Sequence, residues 1–228
     1  MNYRIEITPF RVEICSSEAH YSHGDMVVIR SKEGIDIGTV VGLYHDEEEP
    51  YGEILRSINQ MDLEKRKELK EYEEFCLIEL RSAVEEFQFP MKPVYAHCQF
   101  DEERVIFYFT AQKRLEFRKL HRFISQKLNR RVVIKQIGSR DYSRLFGGIG
   151  PCGRGLCCTT FLAELKSISL RMARDQKLYV SPSKISGICG RLLCCLNFEE
   201  DFYTDFTHDD LHAELDSQED EEEQMEDE

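Results

Sequence analysis

Six of the nine cysteines fall in two heptapeptides that nearly copy each other. Residues 152–158 read Cys-Gly-Arg-Gly-Leu-Cys-Cys, and residues 189–195 read Cys-Gly-Arg-Leu-Leu-Cys-Cys. Each box has the form Cys-x4-Cys-Cys, contributed by Cys152, Cys157 and Cys158 and by Cys189, Cys194 and Cys195. Thiolates grouped in this way suit a soft metal centre. Iron–sulfur clusters take four thiolates, and Cys-x4-Cys is one of their known spacings. Zinc also accepts cysteine pairs at this separation, yet it needs four ligands where each box offers three. A thiol redox enzyme would more naturally show Cys-x-x-Cys. Neighbouring cysteines such as Cys157 and Cys158 are poorly placed for a disulfide, because the trans peptide between them strains the ring. The reading favoured is an iron–sulfur centre, with zinc and redox chemistry as alternatives. Glycine after the first cysteine of each box lets backbone approach a bulky centre, and Arg154 and Arg191 can offset its negative charge.

The remaining cysteines, Cys15, Cys76 and Cys98, stand singly in apolar, periodic contexts and read as buried thiols. The histidine pairs His20/His23 and His208/His212 have no third ligand nearby and read as surface residues. No nucleotide loop, Gly-x-Ser-x-Gly or His-Glu-x-x-His motif occurs. No catalytic residues are assigned.

Charge is sharply segregated. The net charge of −13 divides into −11 over residues 1–110, +14 over 111–198 and −16 over 199–228. A basic block that contains both boxes points to an anionic partner, or to a tail that folds back on it. Arg118, Lys119, Arg122, Lys127, Arg130 and Arg131, with Arg154 and Arg191 in the boxes, are the expected contacts for RNA or an acidic partner. Tyr142, Phe146 and Tyr179 lie among these cations and read as core residues that could alternatively stack on bases. No run of 18 or more apolar residues and no signal-peptide stretch occurs, so a cytoplasmic location is expected.

The elements that must position the boxes follow from pattern. Residues 1–60 alternate apolar and polar around turn glycines and predict a small β unit. A long helix is predicted over 61–92, with Asp62 as N-cap and an apolar stripe of Leu69, Tyr72, Cys76, Leu80, Ala83 and Phe87 ended by Pro90 and Pro93. Residues 93–204 form the predicted α/β domain that carries both boxes. It opens with strands at 94–100 and 104–111, a helix striped by Phe117, Leu120, Ile124 and Leu128, and a strand at 131–137. Further expectations are a helix over 161–176 and a short strand at 178–180. Residues 205–228 have the acidic, apolar-poor composition of a disordered tail. The fold class is mixed α+β.

With these residues in view, the chain resembles the bacterial RicT (YaaT-like) proteins, which carry a PSP C-terminal domain. The resemblance rests on Gly147-Gly148-Ile149-Gly150-Pro151-Cys152-Gly153-Arg154 with Leu156-Cys157-Cys158, on Met172-Ala173-Arg174-Asp175-Gln176, and on the run from Pro182 through Cys195. Phe107 to Ala111 and Gln136 to Asp141 fit as well. It covers roughly residues 2–203 and leaves the acidic tail outside. The resemblance implies a non-enzymatic regulatory subunit that assembles with RicA-like and RicF-like small helical proteins. It implies four-iron, four-sulfide (4Fe-4S) clusters held by cysteines shared among subunits, and service as adaptor to an endoribonuclease that processes messenger RNA. All six box cysteines match family positions.

Overall fold

A computed structural model describes residues 1–45, 49–113, 115–162, 166–178 and 181–203. The chain divides into two compact units, Met1–Asp141 and Tyr142–Glu228. The region expected as one domain over 93–204 is parted by this division: its strands and first helix belong to the first unit and its cysteine boxes to the second. The mixed α+β expectation holds.

The first unit opens with a closed barrel. Its strands are β1 (Asn2–Thr8), β2 (Arg11–Ser16), β3 (Met26–Ser31), β4 (Gly34–Tyr44) and β5 (Gly52–Ser57), paired in the order β1-β2-β5-β3-β4 and back to β1. Alternation places Tyr3, Ile5, Val27, Ile29 and Val40 inside, together with Cys15. Closure leaves no unpaired sheet edge. Burial pushes the Cys15 thiol up to about 12, so it is an inert core group. Residues 46–48, between β4 and β5, lie outside the described residues.

The long helix is α1 (Gln60–Glu86). Its N-cap is Asn59 rather than Asp62. The Asn59 side chain accepts from the Asp62 amide at 2.9 Å and the Asp62 carboxylate accepts from the Asn59 amide at 2.8 Å, a reciprocal capping box. Arg56 also donates to Asp62, which holds that carboxyl below its usual range. Leu69, Cys76, Leu80 and Ala83 are buried as the stripe requires, whereas Phe87 sits at the C-cap, partly in solvent.

A three-stranded sheet lies beneath α1. It comprises β6 (Lys92–Cys98), β7 (Arg104–Thr110) and β8 (Arg131–Gln136), with β6 antiparallel and β8 parallel to β7. Pro93 sits in β6, an edge strand, where its missing N–H is tolerated. The crossover from β7 to β8 is α2 (Arg118–Leu128), whose Leu120, Ile124 and Leu128 join Val105, Phe107 and Phe109 in one core with α1. Cys76 and Cys98 are fully buried there.

Barrel and sheet are tied together by a buried charge cluster. His97 of β6 has no exposure; its Nε2 lies 2.7 Å from Asp36 Oδ2 of β4, and its Nδ1 lies 3.2 Å from Glu73 Oε1 of α1. The second contact is poorly aligned for a hydrogen bond and acts as a charge contact. Arg66 donates to Glu73 at 2.7 Å, and Arg11 lies 3.8 Å from Asp36. The Cys98 amide also donates to Glu73, at 2.8 Å. Burial pulls the imidazole pKa down, but the two carboxylates outweigh it and hold His97 above its ordinary value. Nearby, Asp101 accepts from the Ile35 amide at 2.8 Å. A Cβ on Gly34 would come within 2.5 Å of that carboxylate, so the close approach requires glycine.

Two measurements check this architecture. Because His97 gains its proton's stabilisation in the folded state, that contribution is complete below the unfolded pKa of about 6.5 and fades as pH rises through the higher folded value. Urea melts followed by circular dichroism should show the midpoint dropping as pH rises above 6.5, and His97→Ala should flatten this trend while costing about 3–5 kcal/mol through the stranded carboxylates. Asn59→Ala should cost about 1 kcal/mol by opening the capping box, with no change in that pH trend.

Candidate metal centre

Both cysteine boxes lie in the second unit, and they fold alike. In the first, the Gly150 amide donates to the Arg154 carbonyl at 2.8 Å, Gly153 to Gly150 at 3.0 Å and Leu156 to Gly148 at 3.2 Å. In the second, Gly187 donates to Arg191 at 2.8 Å, Gly190 to Gly187 at 2.9 Å and Leu193 to Ile185 at 2.9 Å. Each bond recurs 37 residues later, at the separation of Cys152 from Cys189. Isolated bridges close both turns, Ile149 with Gly155 and Ser186 with Leu192. The glycine after the first cysteine has φ of +78° at Gly153 and +72° at Gly190, a left-handed backbone that a side chain would strain. That conformation is what forces Cys-Gly-Arg into a knuckle.

Each knuckle runs into one helical turn. In the first, α4 (Cys157–Thr160) follows α3 (Ser139–Phe146) in chain order and begins at the paired cysteines. In the second, α5 (Leu170–Asp175) and α6 (Pro182–Ile185) precede the box, and α7 (Cys195–Phe198) begins at its last cysteine. The helix expected over 161–176 is therefore confined to α5 among the described residues, and the strand expected at 178–180 falls largely outside them.

The small core of this unit explains the other quoted motif. Ala173 of α5 is fully buried with Ile185 and Leu196, and the Gln176 side chain donates to the Leu196 carbonyl at 2.6 Å. The Met-Ala-Arg-Asp-Gln segment thus braces the turn that follows Cys195.

The two knuckles meet. Phe161 and Phe198 occupy matching positions, 37 residues apart, and their rings touch edge to face at 5.0 Å. Gly148 of the first knuckle lies under Ile188 of the second; a Cβ there would sit 3.6 Å from the Ile188 methyl. Burial, then Glu199, then Cys157 and Cys152 push the Cys195 thiol up, which places this sulfur of the second box within the electrostatic reach of two sulfurs of the first. Cys152 is exposed, Cys158 is buried, and Cys157, Cys189, Cys194 and Cys195 are half-buried. No disulfide joins any of the cysteines. Among the described residues, no three His, Cys, Asp or Glu side chains are disposed to hold one metal ion. The donor chemistry fits a thiolate-bound group, while the thiols approach without closing into a ligand shell.

Of the residues expected to meet an anionic partner, Arg154 and Arg191 are exposed on the knuckles. Lys127 is paired with Glu79. Arg130 is paired with Glu102 at 2.9 Å and lies 4.8 Å from the Tyr72 ring, so it serves the fold. Arg118, Lys119, Arg122 and Arg131 face solvent. The Tyr142 and Phe146 rings contact each other in a tilted arrangement at 4.9 Å, and Tyr179 lies outside the described residues. The roles of Phe161 and Phe198 escaped the sequence reading. Extending the box comparison three residues beyond the last cysteine would have found the phenylalanines.

Residues 52–137 match the PSP1 C-terminal conserved region, and residues 167–210 match the third domain of PSP1-like proteins. The chain is 39% identical over 193 residues to Stage 0 sporulation protein YaaT of Bacillus subtilis (strain 168), an alignment spanning 81% of this chain and 69% of the relative. No solved structure matches the chain. Among the described residues, no helix is long and apolar enough to cross a membrane. These matches point to a regulatory role, and the chain belongs to the YaaT-like family of PSP1 proteins.

Proposed function

We propose that the chain is a non-catalytic, cytoplasmic iron–sulfur subunit of a regulatory assembly that modulates endoribonuclease-dependent processing of messenger RNA. The observation that carries this reading is the meeting of two like-folded thiol knuckles, which brings Cys195 to the neighbourhood of Cys152 and Cys157. Cys152, Cys157, Cys158, Cys189, Cys194 and Cys195 are the ligands available, and a 4Fe-4S cluster is the group they would hold. Such a cluster supplies a redox- and oxygen-sensitive structural crosslink. The left-handed glycines turn each knuckle back on itself, and the Phe161–Phe198 contact sets one knuckle against the other.

Because the thiols do not close on one point, a partner has room to complete the shell. Phe146, Ile149, Phe161, Ile188, Phe198 and Phe202 are large apolar side chains left exposed in this unit. Apolar exposure around an incomplete ligand set suits subunit contact, and small helical proteins of the RicA and RicF type are the partners proposed.

Anaerobic expression, alone and with such partners, followed by iron, sulfide and zinc analysis, tests the proposal. A brown protein with iron and sulfide in similar amounts is expected, and several single Cys→Ser changes within the boxes should each weaken the colour. A colourless protein with stoichiometric zinc would replace this reading with a zinc-stabilised nucleic-acid-binding module. Thiol turnover abolished by one Cys→Ser change would replace it with a redox enzyme. Gly190→Val should lower iron retention several-fold by straining the second knuckle, and the loss should be read at unchanged stability of the first unit.

A further inference from the structure

The outer face of α2 carries a concentration of positive charge that the fold does not use. Its inner face is spent on the core through Leu120, Ile124 and Leu128. On the outside, Arg118, Lys119 and Arg122 are exposed, and among the described residues no carboxylate lies within ion-pair distance of them. One turn further on the pattern changes, with Lys127 and Arg130 neutralised by Glu79 and Glu102. Uncompensated charge is thus confined to the first two turns.

The surface there is concave. A shallow groove of about 590 Å³ is lined by Phe117, Arg118, His121, Arg122, Ser125 and Asn129 among others. A second hollow of about 270 Å³ adjoins it, lined by Lys119 and Phe123 and sharing Arg118 and Arg122. The two arginines, four residues apart, therefore form a ridge with a hollow containing an aromatic ring on each flank. Ser125 lines the larger groove with its hydroxyl turned inward and buried, whereas Asn129 stands exposed at the groove's end. His121 is held in place because its Nε2 lies 2.8 Å from the Val132 carbonyl.

We infer that the first two turns of α2 bind single-stranded RNA. Arg118 and Arg122 present forked donors at one-turn spacing to phosphate oxygens, and Lys119 adds a third positive charge. Phe117 and Phe123 offer apolar surface to unstacked bases on either side of the ridge. The exposed Asn129 amide gives the groove a polar contact that suits a ribose 2′-hydroxyl, the group that separates RNA from DNA. An acidic peptide would satisfy the cations but would leave the aromatic and amide lining without a role. The inference deepens the proposed function by giving the assembly a contact with its RNA. It rests on α2 alone, so iron content and RNA binding can fail separately.

The test is fluorescence anisotropy of a labelled twelve-nucleotide oligouridylate with the full chain, with the matching oligothymidylate and a deca-glutamate peptide as competitors. Three phosphate contacts to a single strand predict an affinity loss of about twentyfold between 50 and 200 mM salt. Arg118→Gln with Arg122→Gln should weaken binding at least tenfold and leave the salt slope about one third as steep. Lys119→Gln should give a smaller loss of the same kind. Asn129→Gly, which removes the amide and suits the left-handed backbone there, should reduce the preference for RNA over DNA. The side chains are exposed in the first two variants, and circular dichroism should show an unchanged fold. No binding at 50 mM salt, binding indifferent to the arginine pair, equal affinity for the thymidylate, or stronger competition by the glutamate peptide would overturn the inference.

Discussion

A histidine sealed from water, its protonated form favoured by two carboxylates, joins the two halves of the first unit. His97 stands on the sheet, Asp36 on the barrel and Glu73 on the long helix, so this one side chain links three separately built elements through two contacts. Burying such a charge is costly unless it is compensated. Here the compensation comes from both carboxylates, and these are met in turn by Arg66 and Arg11. The arrangement is strict: removing any one member leaves another charge buried without an opposite. Apolar packing alone would let the barrel slide on the sheet, whereas this cluster fixes the register between them. The sheet fixed in this way is the support on which α2 lies, with its cationic face turned outward.

The second unit solves a different problem with less apolar material. Its described core is little more than Ala173, Ile185 and Leu196 with a few partly buried neighbours. Short glycine-directed hydrogen bonds do the shaping instead, and a buried glutamine amide secures the last turn. So small a core gives little stabilisation by burial. A bound group gripping several thiols would supply what the core lacks, since binding energy to the folded form adds directly to its stability.

Much of this was legible in the residues. Alternation around turn glycines revealed the first four barrel strands but not β5, and three- and four-residue steps revealed α1 and the inner stripe of α2, because burial imposes those periods directly. The N-cap of α1 was misplaced by three residues: Asp62 carries the look of an N-cap, but it is the reciprocal partner of Asn59, and only the backbone geometry tells the two roles apart. The likeness of the cysteine boxes was plain, yet their meeting was not, since it depends on Phe161 and Phe198 turning toward each other. His97 gave no local signal at all. A histidine in an apolar strand reads the same whether it faces a carboxylate or a leucine, and its partners lie 61 and 24 residues away along the chain. Likewise, Arg130 and Arg118 look equivalent as letters, and only Glu102 distinguishes the structural cation from the available one.

The touching phenylalanines carry one more implication. Because corresponding positions of the two repeated segments press against each other, each segment serves as the other's packing partner within a single polypeptide. Two copies carried in one chain are free to differ in sequence, as two identical subunits cannot. The divergence is visible: Cys158 is buried where its counterpart Cys195 is half-open, and α5 braces one half through Gln176. A paired scaffold with unequal sides can present a different face to each of two dissimilar neighbours.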